Sequence, residues 1–275
     1  MESDGGRLLR KSHGARRRKR ASTFDDERGG QGAGGSQRRA SLDSAAFSWH
    51  LASMRPDVKI CGLKTPQALD AALAGGASHV GFIFFARSPR DLAPEEAERL
   101  RRAATGRAKA VAVTVDADDA FLDRIVEAMR PDMLQLHGQE TPERVAAVKA
   151  RHRLPVMKAL AIGEAADLAA IAPYRGVADR FLLDAKPPKD AVLPGGNGVS
   201  FDWRLLAELD RGVDYMLSGG LDAANVGDAL RLADPPGIDV SSGVESAPGV
   251  KDAALIAEFL SAVRAARAGA PARSS

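Results

Sequence analysis

Eight short apolar runs recur along the chain, separated by segments with helical spacing, and this alternation restricts the fold more than any other feature. The candidate strands lie at residues 58–60, 79–85, 110–115, 133–136, 155–160, 180–184, 214–219 and 237–241. Between them, apolar residues recur at i, i+3 and i+4, as in residues 65–73, 94–103, 141–151 and 250–266. Nearly continuous apolar strands are typical of parallel strands covered by helices on both faces. The sequence therefore predicts an α/β fold in which residues 54–268 form a single domain, a closed (β/α)8 TIM barrel.

An open, doubly wound sheet is the main structural alternative. Such sheets usually have fewer strands, and those that bind dinucleotides have a GxGxxG fingerprint after the first strand. Here the first strand leads into CGLKTP at residues 61–66, which does not fit that fingerprint. Both observations favour the closed barrel.

The first 53 residues differ in composition from the rest of the chain. They contain 11 Lys and Arg against 6 Asp and Glu, including RRRKR at residues 16–20, and almost no apolar periodicity. We therefore predict a disordered basic leader, with the hypothesis that translation starts at Met54. A short basic run is more often a solvated tail than a nucleic-acid site, so no nucleic-acid partner is expected. Residues 269–275 are predicted to form a flexible tail.

The chain contains a single cysteine, Cys61, at the tip of the first candidate strand. One cysteine cannot form an internal disulfide, which fits a reducing compartment and predicts a cytoplasmic protein. It also argues against a structural zinc site based on cysteine. No apolar stretch approaches the roughly 20 residues that span a bilayer, so no membrane partner is expected. Cys61 is either a small core residue or a residue that takes part in chemistry.

Polar residues follow the carboxyl ends of the candidate strands, where barrel enzymes have their active sites. The residues selected on this basis are Cys61, Arg90, His137, Asp184, Gly219, Gly220, Ser241 and Ser242. The last four belong to LSGGLDAANV and VSSGVESAPGVKD, after strands seven and eight. Small residues at these two strands let backbone N–H groups converge on a phosphate, so a phosphorylated small-molecule ligand is predicted. Ordinary tight turns are the alternative.

Cys61 and Asp184 end different strands, one and six, so both side chains can face one cavity as an acid and a base. A thiol becomes a competent base if N–H groups or a cation favour the thiolate. An aspartate can act as an acid near neutrality if burial keeps it protonated. The alternative for Asp184 is a turn cap or an ion pair with Lys158 or Lys186.

Arg90 offers a planar fork for a carboxylate, and the sequence shows no compensating acid nearby except Asp91. We therefore expect Arg90 to contact the ligand, with a solvated surface arginine as the alternative. For His137, a structural role and a ligand contact both remain open.

Taken together, these motifs resemble the phosphoribosylanthranilate isomerase family of tryptophan biosynthesis. The resemblance covers residues 58 to about 260 and depends on KICGL, GFIFFARSPR, LQLHG, LLDAK, GGNGVSFDW, LSGGLDAANV and DVSSGVESAPGVKD, in that order. It implies an Amadori rearrangement of N-(5-phosphoribosyl)anthranilate without cofactor or metal. It also implies a mobile lid formed by the Gly-rich loop that follows strand six, in which Asn197 and Val199 occupy variable positions.

The resemblance also assigns roles. Asp184 matches the general acid that opens the ribose ring, and Cys61 matches the general base that removes the C2 proton. Arg90 matches the partner of the anthranilate carboxylate, and the substrate's phosphate would lie at Gly219, Gly220, Ser241 and Ser242. The sequence leaves a monomer and a homodimer open.

Two other functions compete with this one. The histidine-pathway sugar isomerase has the same fold and reaction type, but related members have an aspartate at the end of strand one, where this chain has Cys61. A regulatory protein that binds nucleic acid through its basic leader is the alternative from another class. It would show salt-dependent DNA binding that is lost when residues 1–53 are removed.

Overall fold

The computed structural model describes residues 56–188, 190–191 and 193–268. Within this part, eight parallel strands close into a barrel in chain order, and β1 pairs with β8 to complete the ring. The strands are β1 Asp57–Cys61, β2 His79–Phe84, β3 Lys109–Thr114, β4 Met133–Leu136, β5 Val156–Ile162, β6 Arg180–Ala185, β7 Tyr215–Leu217 and β8 Gly237–Val240. The predicted barrel is confirmed. The predictions for the leader, for Met54 as the start and for the tail at 269–275 lie outside the described residues.

Helices cover the outer face of the barrel. The α-helices are α1 Pro66–Ala74, α2 Pro94–Ala104, α3 Asp119–Met129, α4 Pro142–His152, α5 Val226–Ala233 and α6 Ala253–Ala268. The chain has 3-10 helices at Ala165–Tyr174 after β5, at Trp203–Glu208 after β6 and at Ser242–Val244 after β8. In the two cycles that follow β5 and β6, the segment between the strands therefore forms a 3-10 helix and not the α-helix that the helical spacing predicted.

Capping residues set the helix starts. The side chains of Thr65 and Thr141 accept hydrogen bonds from Ala68 and Arg144 N–H groups, each at 3.3 Å, and a proline follows each threonine. A threonine cap followed by proline at the first helical position is a strong start signal. The helices predicted at 65 and 141 therefore begin one residue later than expected.

The prediction of a helix starting at residue 250 is wrong. Val250–Lys251 instead forms a short strand, β10, that pairs antiparallel with β9, Glu245–Ala247. The turn between them includes Gly249, whose φ of +80° favours glycine. The helix begins at Ala253 because the Asp252 carboxylate accepts from the N–H groups of the next turn.

Strand residues alternate between two apolar layers. In β3, Ala110 and Ala112 belong to the larger core under the helices, while Val111 and Val113 belong to a smaller core that also contains Cys61. This alternation follows from the two-residue period of a strand. Since Cys61 belongs to the smaller core, its side chain is directed to the same layer as the inner residues of β3. None of the helices in the described part is long and apolar enough to cross a membrane.

His79, the first residue of β2, should make the fold sensitive to mild acid. Its side chain is 1% exposed, and burial lowers the pKa of the imidazole to about 4, although the Asp57 carboxylate opposes this shift. The unfolded chain, with a histidine pKa near ~6.5, therefore binds a proton more readily than the folded one. The neutral His79 therefore contributes stability that is fully present above about pH 6.5 and is lost as the pH falls towards 4. At pH 5, the free energy of unfolding should be lower by about 2 kcal/mol.

The test is urea denaturation of the wild type and His79→Asn between pH 7 and 5. Asparagine can keep the hydrogen bond that His79 Nδ1 makes with Ser78 Oγ at 2.8 Å, but it does not titrate. We expect the free energy of unfolding to fall less steeply with pH in the variant. Identical pH dependence in both proteins would contradict the assignment to His79.

Candidate active site

A cavity, partly open to solvent, lies where the barrel strands end. The structure brings together there all eight residues that the sequence selected: Cys61, Arg90, His137, Asp184, Gly219, Gly220, Ser241 and Ser242. Cys61 and Asp184 come from separate walls of the ring, β1 and β6, and border the same space.

Cys61 is the last residue of β1 and is 5% exposed. Burial raises the pKa of its thiol, the Lys59 ammonium group opposes that shift, and the Asp239 carboxylate adds to it. Gly81, on the neighbouring strand, provides space for the thiol, since a Cβ atom at that position would lie 2.9 Å from Sγ. Burial and the Asp239 carboxylate therefore disfavour the thiolate, while the Lys59 cation close by favours it.

That cation, Lys59, lies two residues before Cys61 and is fully buried. Its Nζ donates to Asp239 Oδ1 at 2.8 Å, and Ser218 Oγ donates to Asp239 Oδ2 at 3.2 Å. Burial disfavours the charged amine, but the charge and hydrogen bond of Asp239, together with those of Cys61, outweigh it and raise the pKa of Lys59. Lys59 is therefore a permanent positive charge next to the thiol.

Asp184 lies near the end of β6 and is 5% exposed. Its Oδ2 is 3.3 Å from His137 Nε2, and its Oδ1 accepts from the Ala185 N–H at 3.0 Å. On the other side of the imidazole ring, Gln135 Nε2 is 3.0 Å from His137 Nδ1. Gln135 therefore holds His137, and His137 in turn holds the carboxyl group of Asp184 at the cavity wall.

The alternative ion pairs suggested for Asp184 do not form. Lys158 Nζ instead donates to Glu140 Oε2 at 2.8 Å, and Lys186 Nζ donates to Asp167 Oδ1 at 3.0 Å. Asp184 therefore has no lysine partner among the described residues, and its acidic group is available to the cavity.

The Gly-rich loop after β6 packs closely over the acid. A Cβ atom on Gly195 would lie 2.6 Å from Asp184 Oδ2 and 2.8 Å from His137 Nε2, and a Cβ atom on Gly196 would lie 2.8 Å from Arg90 NH1. Only glycine permits the backbone to approach these groups so closely. The two glycines, together with Asn197 and Val199, line the cavity. Whether this loop opens and closes as a lid stays a prediction.

Arg90 does have a compensating acid, and the sequence reasoning that saw none beyond Asp91 is wrong. Its Nε and NH2 donate to Glu245 Oε1 and Oε2 at 2.8 and 2.9 Å. Asp91 accepts from the Phe85 N–H at 2.7 Å instead. Glu245 is 155 residues from Arg90 in the sequence, so only the fold brings them together. Arg90 nevertheless lines the cavity.

The loops after β7 and β8 present small residues to the cavity. Gly219 and Gly220 have φ values of +93° and +62°, which glycine adopts without strain. Ser241 Oγ donates to the Cys61 carbonyl at 3.2 Å, so that hydroxyl is already in use. In the described part of the chain, the N–H groups of Gly219 and Gly220 donate no hydrogen bond to a backbone carbonyl.

Sequence reasoning missed four polar residues of this region: Lys59, Gln135, Glu245 and Lys251. Lys59 could have been found, because residues two apart on a strand face the same side and Cys61 was already selected. Gln135 has the same relation to His137. Glu245 and Lys251 carry no such signal. Within the described residues, no group of three or more His, Cys, Asp or Glu could hold a metal ion.

Comparison with known proteins identifies similar isomerases over the whole barrel. The family model for N-(5'-phosphoribosyl)anthranilate (PRA) isomerase matches residues 58–262. An N-(5'-phosphoribosyl)anthranilate isomerase of Mesorhizobium japonicum is 75% identical over 214 residues, which are 78% of this chain and 98% of the relative.

Solved structures agree with the sequence comparison. The phosphoribosyl anthranilate isomerase of Thermotoga maritima aligns with a TM-score of 0.68 and 33% identity, over 76% of this chain and 99% of the other. A phosphoribosyl anthranilate isomerase in complex with reduced 1-(o-carboxyphenylamino)-1-deoxyribulose 5-phosphate aligns with a TM-score of 0.66 and 31% identity, over the same shares.

Proposed function

The chain belongs to the N-(5'-phosphoribosyl)anthranilate isomerase family, aldose–ketose isomerases of tryptophan biosynthesis, and on that premise we propose that Cys61 and Asp184 are its general base and general acid. The observation that carries this proposal is that both side chains border one cavity from separate strands, 5% exposed each. Proton transfer by two positioned groups is the catalysis that an Amadori rearrangement requires.

In the first step, Asp184 gives its proton to the ribose ring oxygen of N-(5'-phosphoribosyl)anthranilate. The bond from that oxygen to C1 breaks, and the nitrogen lone pair forms the C1=N bond of a protonated Schiff base. The hydrogen bond from the Ala185 N–H and the contact with His137 hold the carboxyl group in one orientation for this transfer. Fixed orientation of the reacting groups lowers the entropic part of the barrier.

In the second step, the Cys61 thiolate removes the proton from C2, the electron pair of that C–H bond forms the C1=C2 bond of an enolamine, and the electrons of the C1=N π bond return to the nitrogen. The enolamine then tautomerises to the ketone. Burial raises the pKa of the thiol, so the thiolate must be favoured by the positive charges beside it, Lys59 and Lys251. Lys59, paired with Asp239, is suited to this because it stays protonated.

The remaining residues would bind the ends of the substrate. Arg90 would contact the anthranilate carboxylate, since two N–H groups on NH1 are not engaged by Glu245. The substrate's phosphate would lie at Gly219, Gly220, Ser241 and Ser242, following strands seven and eight, with the short 3-10 helix Ser242–Val244 at its side. His137 would act through Asp184 and not through the substrate.

No cofactor enters these steps, since each one moves a proton between a side chain and the substrate. We also place the reaction in the cytoplasm, because a lone cysteine that serves as a base must stay reduced. The partner of the chain is a phosphorylated small molecule. No nucleic-acid or membrane partner is part of this proposal, and it is compatible with a monomer or a homodimer.

A complementation experiment tests the proposed function. The chain is expressed in a host that lacks this isomerase, and growth is measured on medium without tryptophan. Expression of the wild-type chain should restore growth, while Cys61→Ala should not. A chain that begins at Met54 should restore growth as well as the full chain does, because the described barrel contains every residue assigned a role. No growth with soluble, folded wild-type protein would overturn the proposal.

A further inference from the structure

Glu245 joins two cations that belong to different elements of the fold. One is Arg90, in the loop after β2, and the other is Lys251, on β10, whose Nζ is 2.5 Å from Glu245 Oε1. All three side chains are at most 5% exposed. An isolated buried charge is costly, so three buried charges in contact act as one unit.

The way in which Glu245 uses the guanidinium determines what Arg90 can still bind. The carboxylate occupies Nε and one N–H of NH2, which form one edge of the planar group. The second N–H of NH2 is directed to the Gly196 carbonyl at 3.4 Å. Among the described residues, no acceptor engages NH1, so this part of the guanidinium remains for a ligand.

The charges of the unit also point to an anionic ligand. Burial disfavours ionisation of Glu245, yet hydrogen bonds from Arg90 and the charge of Lys251 outweigh it and lower the pKa of the carboxyl group. Arg90 and Glu245 alone would be neutral, whereas the ammonium group of Lys251 gives a net positive charge; burial lowers the pKa of this group, and the Glu245 carboxylate opposes that shift. A carboxylate bound at NH1 would neutralise this buried unit.

Lys251 extends the unit to the base. Its Nζ donates to the Ser241 carbonyl at 2.9 Å and lies 3.3 Å from Ser241 Oγ, which in turn donates to the Cys61 carbonyl at 3.2 Å. The β9–β10 hairpin is therefore the element that connects the arginine with the end of β1.

We propose that Glu245 and Lys251 are positioning residues that make this cavity selective for a substrate with an aryl carboxylate. Glu245 holds the guanidinium of Arg90 so that NH1 remains free for the carboxylate, and Lys251 supplies the positive charge that Glu245 would otherwise cancel. The inference rests on the proposed role of Arg90 and adds to it the residues that set its orientation and charge.

The test measures selectivity by titration calorimetry of the full chain with two probes. One is reduced 1-(o-carboxyphenylamino)-1-deoxyribulose 5-phosphate, and the other is the same compound without its carboxyl group. The ratio of the two Kd values is the carboxylate selectivity. We expect Glu245→Ala and Lys251→Met each to lower it by about tenfold or more, with the Kd of the carboxyl-free probe changed less than about threefold. In steady-state kinetics, the same variants should raise KM more than they lower kcat.

Two reference variants make the outcome specific. Arg90→Ala sets the loss expected when the carboxylate contact is absent. Asp57→Asn removes a carboxylate that pairs with Arg180 at 2.6 Å, outside the residues that line the cavity, and should leave the selectivity unchanged. If Arg90→Ala keeps the selectivity, the role of Arg90 and this inference both fail. If Arg90→Ala lowers it and Glu245→Ala does not, only this inference fails.

Glu245→Gln covers the case in which the alanine variant does not fold. Glutamine keeps the shape and one acceptor oxygen, so the loss of selectivity should be smaller than in Glu245→Ala. It also removes the negative charge of Glu245, so the net charge of the unit becomes more positive, which by itself would strengthen carboxylate binding. An increase in selectivity would therefore show that Glu245 only reduces the charge of the unit, and would overturn its positioning role.

Discussion

Replacement of Cys61 with alanine is expected to lower kcat by about 10²–10⁴-fold, which is the contribution typical of a positioned general base. The reason is that the residues the structure describes offer no second base at this position. The nearest titratable groups, Lys59 and Asp239, are bound to each other at 2.8 Å, and Lys251 is bound to Glu245. Steady-state kinetics with N-(5'-phosphoribosyl)anthranilate measures the loss directly.

Cys61→Ser is the matched control for this variant. Serine keeps nearly the same shape, but its hydroxyl is a far weaker acid than a thiol and does not supply an anionic base near neutrality. The two variants should therefore lose similar activity.

Cys61 also belongs to the inner core, and the alanine variant loses the contacts of one sulfur atom. Its Tm should therefore fall modestly while the barrel stays folded. Turnover within about tenfold of the wild type in either variant would remove the base assignment.

The barrel could be predicted from the sequence because its strands carry the signal themselves. Residues 133–136 were predicted as a strand and form β4, Met133–Leu136. The strand predicted at 214–219 is limited to Tyr215–Leu217, because Gly219 and Gly220 adopt positive φ values that end the ladder. Such errors arise where backbone conformation, not hydrophobic pattern, sets the boundary.

The site was predictable only in part, for a physical reason. Strand ends converge at one face of a barrel, so residues chosen by that criterion alone line the same cavity. The identity of the acid that folds onto Arg90 depends on a contact across 155 residues, and nothing in the local sequence encodes it. Lys251 lies only six residues from Glu245, but their contact depends on the β9–β10 hairpin, which forms where a helix starting at residue 250 was predicted.

Asp184→Asn is expected to lower kcat by about 10²–10⁴-fold, as expected for the loss of a positioned general acid. Asparagine keeps the size of the side chain and an oxygen that can accept from the Ala185 N–H, which is 3.0 Å from Asp184 Oδ1. It has no acidic proton to give to the ribose ring oxygen. Binding of the reduced product analogue, measured by calorimetry, should change far less than kcat, since the phosphate and carboxylate contacts remain. Turnover near that of the wild type would contradict the role of Asp184.

A substrate deuterated at C2 separates the two catalytic roles. Cys61 acts on the C2 proton, so in Cys61→Ala this transfer should limit the rate and a primary isotope effect should appear in full. Asp184 acts before that transfer, because the ring must open to the Schiff base first. In Asp184→Asn, ring opening should limit the rate and the isotope effect should approach unity. Two outcomes would contradict these roles. A large isotope effect in Asp184→Asn would mean that Asp184 assists the removal of the C2 proton and not the opening of the ring. A small isotope effect in Cys61→Ala would exclude Cys61 as the base. Because the two variants are expected to lose similar activity, this difference in isotope effect, and not the size of the loss, distinguishes the acid from the base.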